Sequence, residues 1–553
     1  MGGACAEGAP LSPYDTSRVT PATPPPAPSS PLSLPSAPAA PPVEDVTPRF
    51  VLQSVQFEGA RAVDASRLAP AWTALRGKPV SLSDLRAIGR AAERIYADAG
   101  YPFVAVVLQI QEVDQGTVRF DVVEGRITEL TILGKDPIAR RQATAYLQPI
   151  VGRQPLSVGG VETAYELTRH VPGLSISGAL RRGAEPGGMD LVVAAKRDPA
   201  VRFYANVDNL YADPVGPWGV LVGADYLGST TYGDQGGLQV YTSSPVGRQV
   251  LVRGSYFIGL DSAGTQVGVS GLWGKADPQG DFAALKLATD IETLRLEVLR
   301  PLLERRNATL IGHLAFDASS QRTKVFGSEG LADDKLRVFS ASLTGDVRSQ
   351  LGWLSGSLEV RQGVDSLGAS REGAANLSRV GGDPQAMIVR ASFEGETPVV
   401  HYMSLAARSD LQYSGVRLTT PDQYTVGNLT IGRGYQPGEA LGDNAVAGSL
   451  EFRLGPFKLP HKLELQPFAF VDSVWLDNHG AALISRRTLT SAGGGFRLQM
   501  LQKLRLELTY AAPQDAIVPG APRPTPRILL NLTFNLNDAY SAIHRRIQSE
   551  AKK

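Results

Sequence analysis

Cysteine is nearly absent: Cys5 is the single thiol in 553 residues. A disulfide framework is therefore excluded, and thiol usage does not identify a compartment. Long apolar runs are missing too. No stretch of about 18 or more apolar residues occurs, so no transmembrane helix is expected. A membrane β-barrel is not excluded, because its lipid face uses only every second residue. Excess charge of one sign is also lacking. The 55 Lys+Arg nearly cancel the 54 Asp+Glu, which leaves no electrostatic argument for nucleic acid. The six histidines, His170, His313, His401, His461, His479 and His544, are scattered, and none is spaced as a metal pair. The chain has no G-x-S-x-G elbow, no H-E-x-x-H helix and no phosphate-binding loop, so it reads as a non-enzyme without catalytic residue, cofactor or metal. No secretory leader is legible, since Met1–Tyr14 has neither a basic start nor an apolar core. The GGACAE sequence around Cys5 lacks the preceding apolar stretch that lipidation requires.

What is present divides the chain into segments. Residues 1–48 read as a terminal segment and linker, with prolines crowding Pro21–Pro42 between Ala and Ser. Such a stretch favours extended polyproline geometry and builds no core. Residues 49–125 and 126–197 read as two copies of one α/β module. The first opens with a strand at Phe50–Gly59. A weak helical segment follows within Val63–Leu75, interrupted at Pro70, and then a helix over Leu85–Ala97 with Ser83 as its cap. A hairpin of Tyr101–Gln111 and Thr117–Gly125 closes it. The second copy has a strand at Arg126–Gly134, helices near Ile138–Leu147 and Val158–Arg169, and a hairpin of Leu174–Arg182 and Met189–Arg197. Gly59 and Gly134 are 75 residues apart, as are Gly77 and Gly152. A tandem of generic α/β modules would give the same periodicity.

Over residues 198–536 helical signals almost vanish. Segments of about ten residues alternate in polarity between Gly/Asp/Ser-rich turns. In Leu354–Gly363, Leu354, Leu358 and Val360 share one face and Glu359 and Arg361 the other. Thr293–Leu299, Ser404–Tyr413, Lys503–Tyr510 and Arg527–Phe534 repeat the pattern, and Tyr413, Tyr510 and Phe534 sit where an interfacial girdle would lie. Soluble sandwiches and propellers alternate as well. The length is large for one sandwich, no blade-sized repeat appears, and charges line the polar face of strand after strand, which suits a hydrated lumen. The fold expected is a transmembrane antiparallel β-barrel. Residues 537–553 form a basic extension in which Asp538 caps a short amphipathic helix, read as a solvated tail or as a helix that enters the lumen.

One stretch of the barrel carries chemistry. Ile431–Arg453 begins with the tight turn Gly432-Arg433-Gly434-Tyr435 and ends in a strict alternation, with Ser449, Glu451 and Arg453 on one face. About twenty residues later, Asp472 is a lone carboxylate inside an apolar strand, Leu465–Trp475. An arginine and an aspartate that leave water both need partners. The simplest arrangement pairs them inside the barrel and pins the loop in the lumen.

Several motifs resemble the transporters of two-partner secretion (type V secretion), the filamentous-haemagglutinin and haemolysin secretion/activation family. Gly432-Arg433-Gly434-Tyr435 resembles the family's loop tip, with Gly in place of Val. Gly442-Asp443 and Ser449–Arg453 resemble the strand after it, Phe470-Val471-Asp472 the Phe-x-Asp strand, Ser491–Arg497 the small-residue strand, and Asp208-Asn209 the barrel entry, where Leu210 replaces Gly. The order strand–helix–helix–strand–strand resembles the POTRA domain. The resemblance implies a 16-stranded outer-membrane barrel preceded by two periplasmic POTRA domains and held in outer-membrane lipids. It implies export of an unfolded, β-helical secreted exoprotein without nucleotide hydrolysis. Arg433, Gly434, Tyr435 and Asp472 would form a loop latch. The edge strand of the first POTRA, with Val104, Val106 and Leu108, would be the client-binding edge, although these side chains equally suit the module's core. Periplasmic chaperones and the barrel-assembly machinery are compatible partners; no nucleic acid is expected. A barrel-assembly insertase of the same superfamily is the alternative, and the count of two modules favours secretion. Leu11–Pro24 is too short and proline-bearing for an N-terminal plug, which makes the C-terminal helix the candidate plug.

Overall fold

In a computed structural model the described residues are 49–113, 115–427, 431–480, 485–500 and 503–536, with Leu32 and Thr47 before them. The rest of the proline-rich segment, Cys5, Asp114 and the C-terminal extension lie outside these residues.

Both modules have the same sheet: the first strand pairs parallel with the third, and the second pairs antiparallel with the third at one edge. The first module orders Ser54–Glu58, Thr117–Val123, Ala105–Leu108. The second orders Arg126–Leu133, Gly188–Arg197, Leu174–Arg182. The 75-residue phase has a steric cause. Gly59 (φ +85°) and Gly134 (φ +145°) end the first strand of each module, and a Cβ there would lie 2.6 Å from the Val122 carbonyl oxygen and 2.3 Å from that of Ala195. Only glycine fits a left-handed turn against a neighbouring backbone.

Three local expectations are corrected. The long helix runs Leu82–Asp98 and is capped by Ser81, not Ser83. Asp84 answers Ser81 across three residues, so both orphan amides of the first turn are satisfied in a capping box. The segment around Pro70 is a four-residue helix, Ala65–Leu68, followed by two 3-10 turns, Ala69–Ala71 and Thr73–Leu75. The second strand is short, Ala105–Leu108, because Phe103 leaves the first module and enters the core of the second beside Ile127 and Leu156.

The barrel closes with sixteen strands, from strand 1 (Val201–Asp208) to strand 16 (Arg527–Asn535). Strand 12 (Asn444–Leu454) continues after a break as Phe457–Leu459, and both pieces pair with strand 13 (Leu463–Asp477). All neighbours are antiparallel. The seam between strands 1 and 16 pairs only from Asn531–Asp208 to Asn535–Tyr204, reinforced by Asn206 donating to Thr533 Oγ1 at 3.0 Å and Asn209 donating to the Ile528 carbonyl at 2.8 Å. Alternation produces two unlike faces. In strand 6 (Ala288–Arg305), Leu294, Leu296 and Val298 are exposed on the lipid side. Arg295 turns inward and meets Asp317 of strand 7 (Ala308–Val325) at 3.0 Å. Among the described residues no helix is long and apolar enough to cross a membrane; the crossing is made by strands.

The second module sits against one rim of the barrel. Arg197 donates to the Leu227 and Gly228 carbonyls at 2.5 and 2.6 Å, and Gln142 to Thr230 at 2.9 Å. The Tyr146 hydroxyl donates to the Tyr232 carbonyl at 3.0 Å, with the two rings edge to face. Thr163 donates to the Glu304 carbonyl, and His170 Nδ1 lies 3.2 Å from the Glu304 carboxylate.

Candidate functional site

The chain between strand 11 (Met403–Ser414) and strand 12 forms a strap that folds into the lumen. Its tip is a tight turn in which the Tyr435 amide bonds the Gly432 carbonyl at 3.0 Å. Gly432 has φ +87°, which a residue with a Cβ adopts at a cost. Gly434 is required by space: a Cβ would lie 2.7 Å from Ser491 and 2.8 Å from the Pro513 nitrogen. Its amide donates to Ser491 Oγ at 3.2 Å.

Arg433 is 5% exposed and Asp472 is fully buried. Nε and Nη2 of Arg433 reach the two carboxylate oxygens of Asp472 at 3.0 and 2.7 Å, a fork-to-fork pair. The amides of Gly432 and Arg433 add bonds of 3.2 and 3.0 Å to Asp472 Oδ2. Nη1 donates to Glu451 at 2.9 Å, and Nη2 also donates to Ser449 Oγ at 2.9 Å. The guanidinium carbon lies 3.4 Å from the centre of the Phe470 ring. The tip thus docks through backbone, charge and aromatic face together.

The network continues along the lumen wall. Glu451 also accepts from Arg453 and Arg497, both at 2.7 Å. Arg497 donates to Glu507 at 2.8 Å and stands over Phe468. These rings have room because strand 14 (Arg486–Met500) carries glycines behind them. A Cβ on Gly493 or Gly495 would lie 2.9 Å from the Phe470 or Phe468 ring. A chamber of about 440 Å³ adjoins the tip, lined by Glu394, Arg408, Arg433, Glu451, Arg497 and Glu507 among others. Tyr435 points the other way, into a buried apolar cluster with Ile431, Val474 and Leu489. Its hydroxyl lies 2.9 Å from the Thr490 carbonyl, and its own carbonyl accepts from Arg527 at 2.6 Å.

A second anchor holds the base of the strap. Asp443, fully buried, accepts from Arg379 (2.5 Å), the Leu418 amide (3.1 Å), Gln423 (3.2 Å) and the His479 amide (2.9 Å). Three connections between strands therefore converge on one carboxylate.

The structure brings Arg433, Gly434, Tyr435 and Asp472 into one cluster. Val104, Val106 and Leu108 belong to the first module and lie far from that cluster in sequence; all three are partly buried against the first module's core. Reading the sequence alone missed Glu451, Ser449 and Phe470 as partners of Arg433. Their signal was present, since Ser449 and Glu451 share the polar face of strand 12 and Phe470 is two residues from Asp472. Asp443 as a hub had no signal beyond its Gly-Asp motif.

A closed antiparallel barrel with inward charges, preceded by two POTRA-like modules, defines an outer-membrane β-barrel of the POTRA-bearing class. Comparison with known families agrees: residues 50–125 match the ShlB-type POTRA domain, and residues 276–498 match the haemolysin secretion/activation proteins ShlB/FhaC/HecB. These matches support a two-partner secretion transporter, with the barrel in the bacterial outer membrane and the POTRA domains in the periplasm. It is 24% identical over 244 residues to the heme/hemopexin transporter protein HuxB of Haemophilus influenzae, an alignment spanning 44% of this chain and 43% of that protein. Its fold is similar to that of CdiB from Escherichia coli, with a TM-score of 0.76, 16% identity and coverage of 90% and 92% of the two chains. CdiB from Acinetobacter baumannii gives a TM-score of 0.66 at 15% identity, with coverage of 90% and 93%.

Proposed function

We propose that this protein binds an unfolded secreted partner through its POTRA domains and passes it through the barrel without nucleotide hydrolysis. The observation that carries the reading is the strap: a loop tip held in the lumen by side-chain and backbone contacts that are all non-covalent, beside a charged chamber. A hydrated, charged wall suits an extended polypeptide, whose backbone needs polar partners throughout. Arg433 and Asp472, with Gly434 and Tyr435 shaping the turn, act as the latch of that strap. The client enters as an added strand on the free edge of Ala105–Leu108, where backbone bonds give affinity and the neighbouring side chains give selection. The exported partner is a β-helical exoprotein, whose folding outside biases the direction of transit.

The test is secretion of the candidate partner from cells carrying wild type, Arg433→Ala or no copy, with barrel abundance read by heat-modifiable gel mobility. Export lost in the deletion and reduced in a folded Arg433→Ala barrel is the expected result. Unchanged export in the deletion, with other outer-membrane barrels depleted, would instead identify a barrel-assembly insertase.

A further inference from the structure

We propose that the first POTRA edge selects acidic extended segments, through a stripe of three arginines beside it and a glutamate that occupies it at rest. The proposal rests on the strand-addition reading above and names the chemistry of the segment that adds.

The edge strand Ala105–Leu108 is flanked by the helix Leu82–Asp98. Leu108 and Val106 pack with Leu85 and Ile88, and Val104 and Val106 pack with Ala92 and Tyr96, so the helix runs along the strand in the opposite sense. Gly89 faces the strand directly: a Cβ there would lie 3.5 Å from the Val106 carbonyl oxygen, in ordinary contact. One turn later Glu93 accepts a hydrogen bond from the Val106 amide at 3.1 Å. That amide is therefore turned away from the ladder, toward the free edge, and a carboxylate of the same module already fills it.

At about 100° per residue, Gly89 and Glu93 mark the rim of the helix that faces the strand. Ile88 and Ala92 lie on the core side of that rim. Arg86, Arg90 and Arg94 lie on the solvent side, all exposed, and none makes an ion pair among the described residues. They recur every four residues, about 6 Å along the helix. A strand repeats its side-chain direction every two residues, about 6.7 Å. A strand added to the edge would therefore present alternate side chains at nearly the spacing of the three guanidinium groups. Acidic residues at those positions meet a cation each, whereas basic ones meet like charge. Such a strand also displaces Glu93 from the Val106 amide, so Glu93 competes with every client and repels an acidic one.

The experiment uses the full chain in detergent micelles and fluorescent peptides of alternating Val–Glu, Val–Ser and Val–Lys, with binding read by anisotropy. At low salt, Val–Glu is expected to bind roughly tenfold tighter than Val–Ser, the sum of three weak exposed pairs, with Val–Lys weakest. The preference is expected to collapse at about 0.5 M salt. Combining Arg86→Gln, Arg90→Gln and Arg94→Gln should erase the preference while Val–Ser still binds, which also shows that the module is folded. Glu93→Gln should tighten Val–Glu binding severalfold. Equal binding of the three peptides, or a preference untouched by the triple variant, overturns the proposal. Val–Ser and Val–Glu peptides N-methylated at alternate residues separate the two readings. If Val–Ser binds, its N-methylated form does not, and no charge preference exists, strand addition stands and the arginine proposal falls. If no peptide binds, or if N-methylated Val–Glu binds as well as its parent, strand addition falls and the proposal falls with it.

Discussion

Arg433 spends four of its five guanidinium N–H donors on Asp472, Glu451 and Ser449. Removing it alone leaves the fully buried Asp472 without its cation, which typically costs about 3–5 kcal/mol. Arg433→Ala is therefore expected to release the strap, read as protease sensitivity between strands 11 and 12 on intact cells. Adding Asp472→Leu to Arg433→Met should restore much of the protection, because Glu451 keeps Arg453 and Arg497. A double variant as sensitive as the single one would mean that the uncompensated charge is not what loosens the strap. Glycine makes a second residue-scale prediction. A Cβ on Gly493 would lie 1.9 Å from the Tyr510 carbonyl oxygen, whereas nothing lies within 4 Å of one on Gly448. Gly493→Ala should lower the thermal midpoint of the barrel and Gly448→Ala should leave it unchanged; equal midpoints would refute the packing argument. The Arg433–Asp472 pair was legible in the sequence because a lone charge of each sign sat in apolar or glycine-flanked surroundings. Phe470 was not, because an aromatic ring in a strand has many uses and only the tertiary fold put a cation over it.

Among elements, the contact between His170, at the end of the helix Val158–Arg169, and Glu304, near the end of strand 6, carries a titratable imidazole. The Glu304 carboxylate beside His170 raises the imidazole above its ordinary value of 6.5, with a smaller push from Glu166, against burial and Arg169. A raised folded value means that the protonated contact is fully present below pH 6.5 and is lost as pH rises through that higher value. Docking of the second module on the barrel should thus be tightest below pH 6.5 and loosen as pH rises past that value, as read by a distance label spanning Thr163 and the end of strand 6 near Glu304. His170→Gln should flatten the profile; an unchanged profile would assign the pH response elsewhere. The helices Val158–Arg169 and Leu174–Arg182's hairpin were readable because 3.6- and 2-residue periods and turn residues agreed there. The first module was harder. Ser81 and Ser83 are both competent caps by residue type, and the choice fell to Ser81 because only it has an acid three residues on. Its short edge strand was masked by Phe103, an apolar residue whose burial is supplied by the neighbouring module.

At the scale of the molecule, alternation without helical interruption announced a barrel, and inward charge distinguished its lumen. Which strands close it was not readable, because closure pairs the first and last strands, Val201–Asp208 and Arg527–Asn535, over 300 residues of intervening chain. The strap's route into the lumen depends on the same closure. Replacing residues 415–443 by a short Gly/Ser linker should raise single-channel conductance in planar bilayers while leaving heat-modifiable mobility intact. Conductance equal to wild type would show that the lumen is occluded by another part of the chain.

The strap is covalently tied at both ends, to strand 11 and to strand 12, while its tip is held by weak bonds. Breaking those bonds therefore does not send the tip into bulk solvent. It stays at a local concentration set by the short tether, in the millimolar range for flexible connections of this kind. Rebinding is then a first-order event whose rate does not depend on how much protein the membrane holds. An opened lumen would reseal on its own whenever the obstruction leaves, with no ligand, energy source or second protein needed to return it to rest.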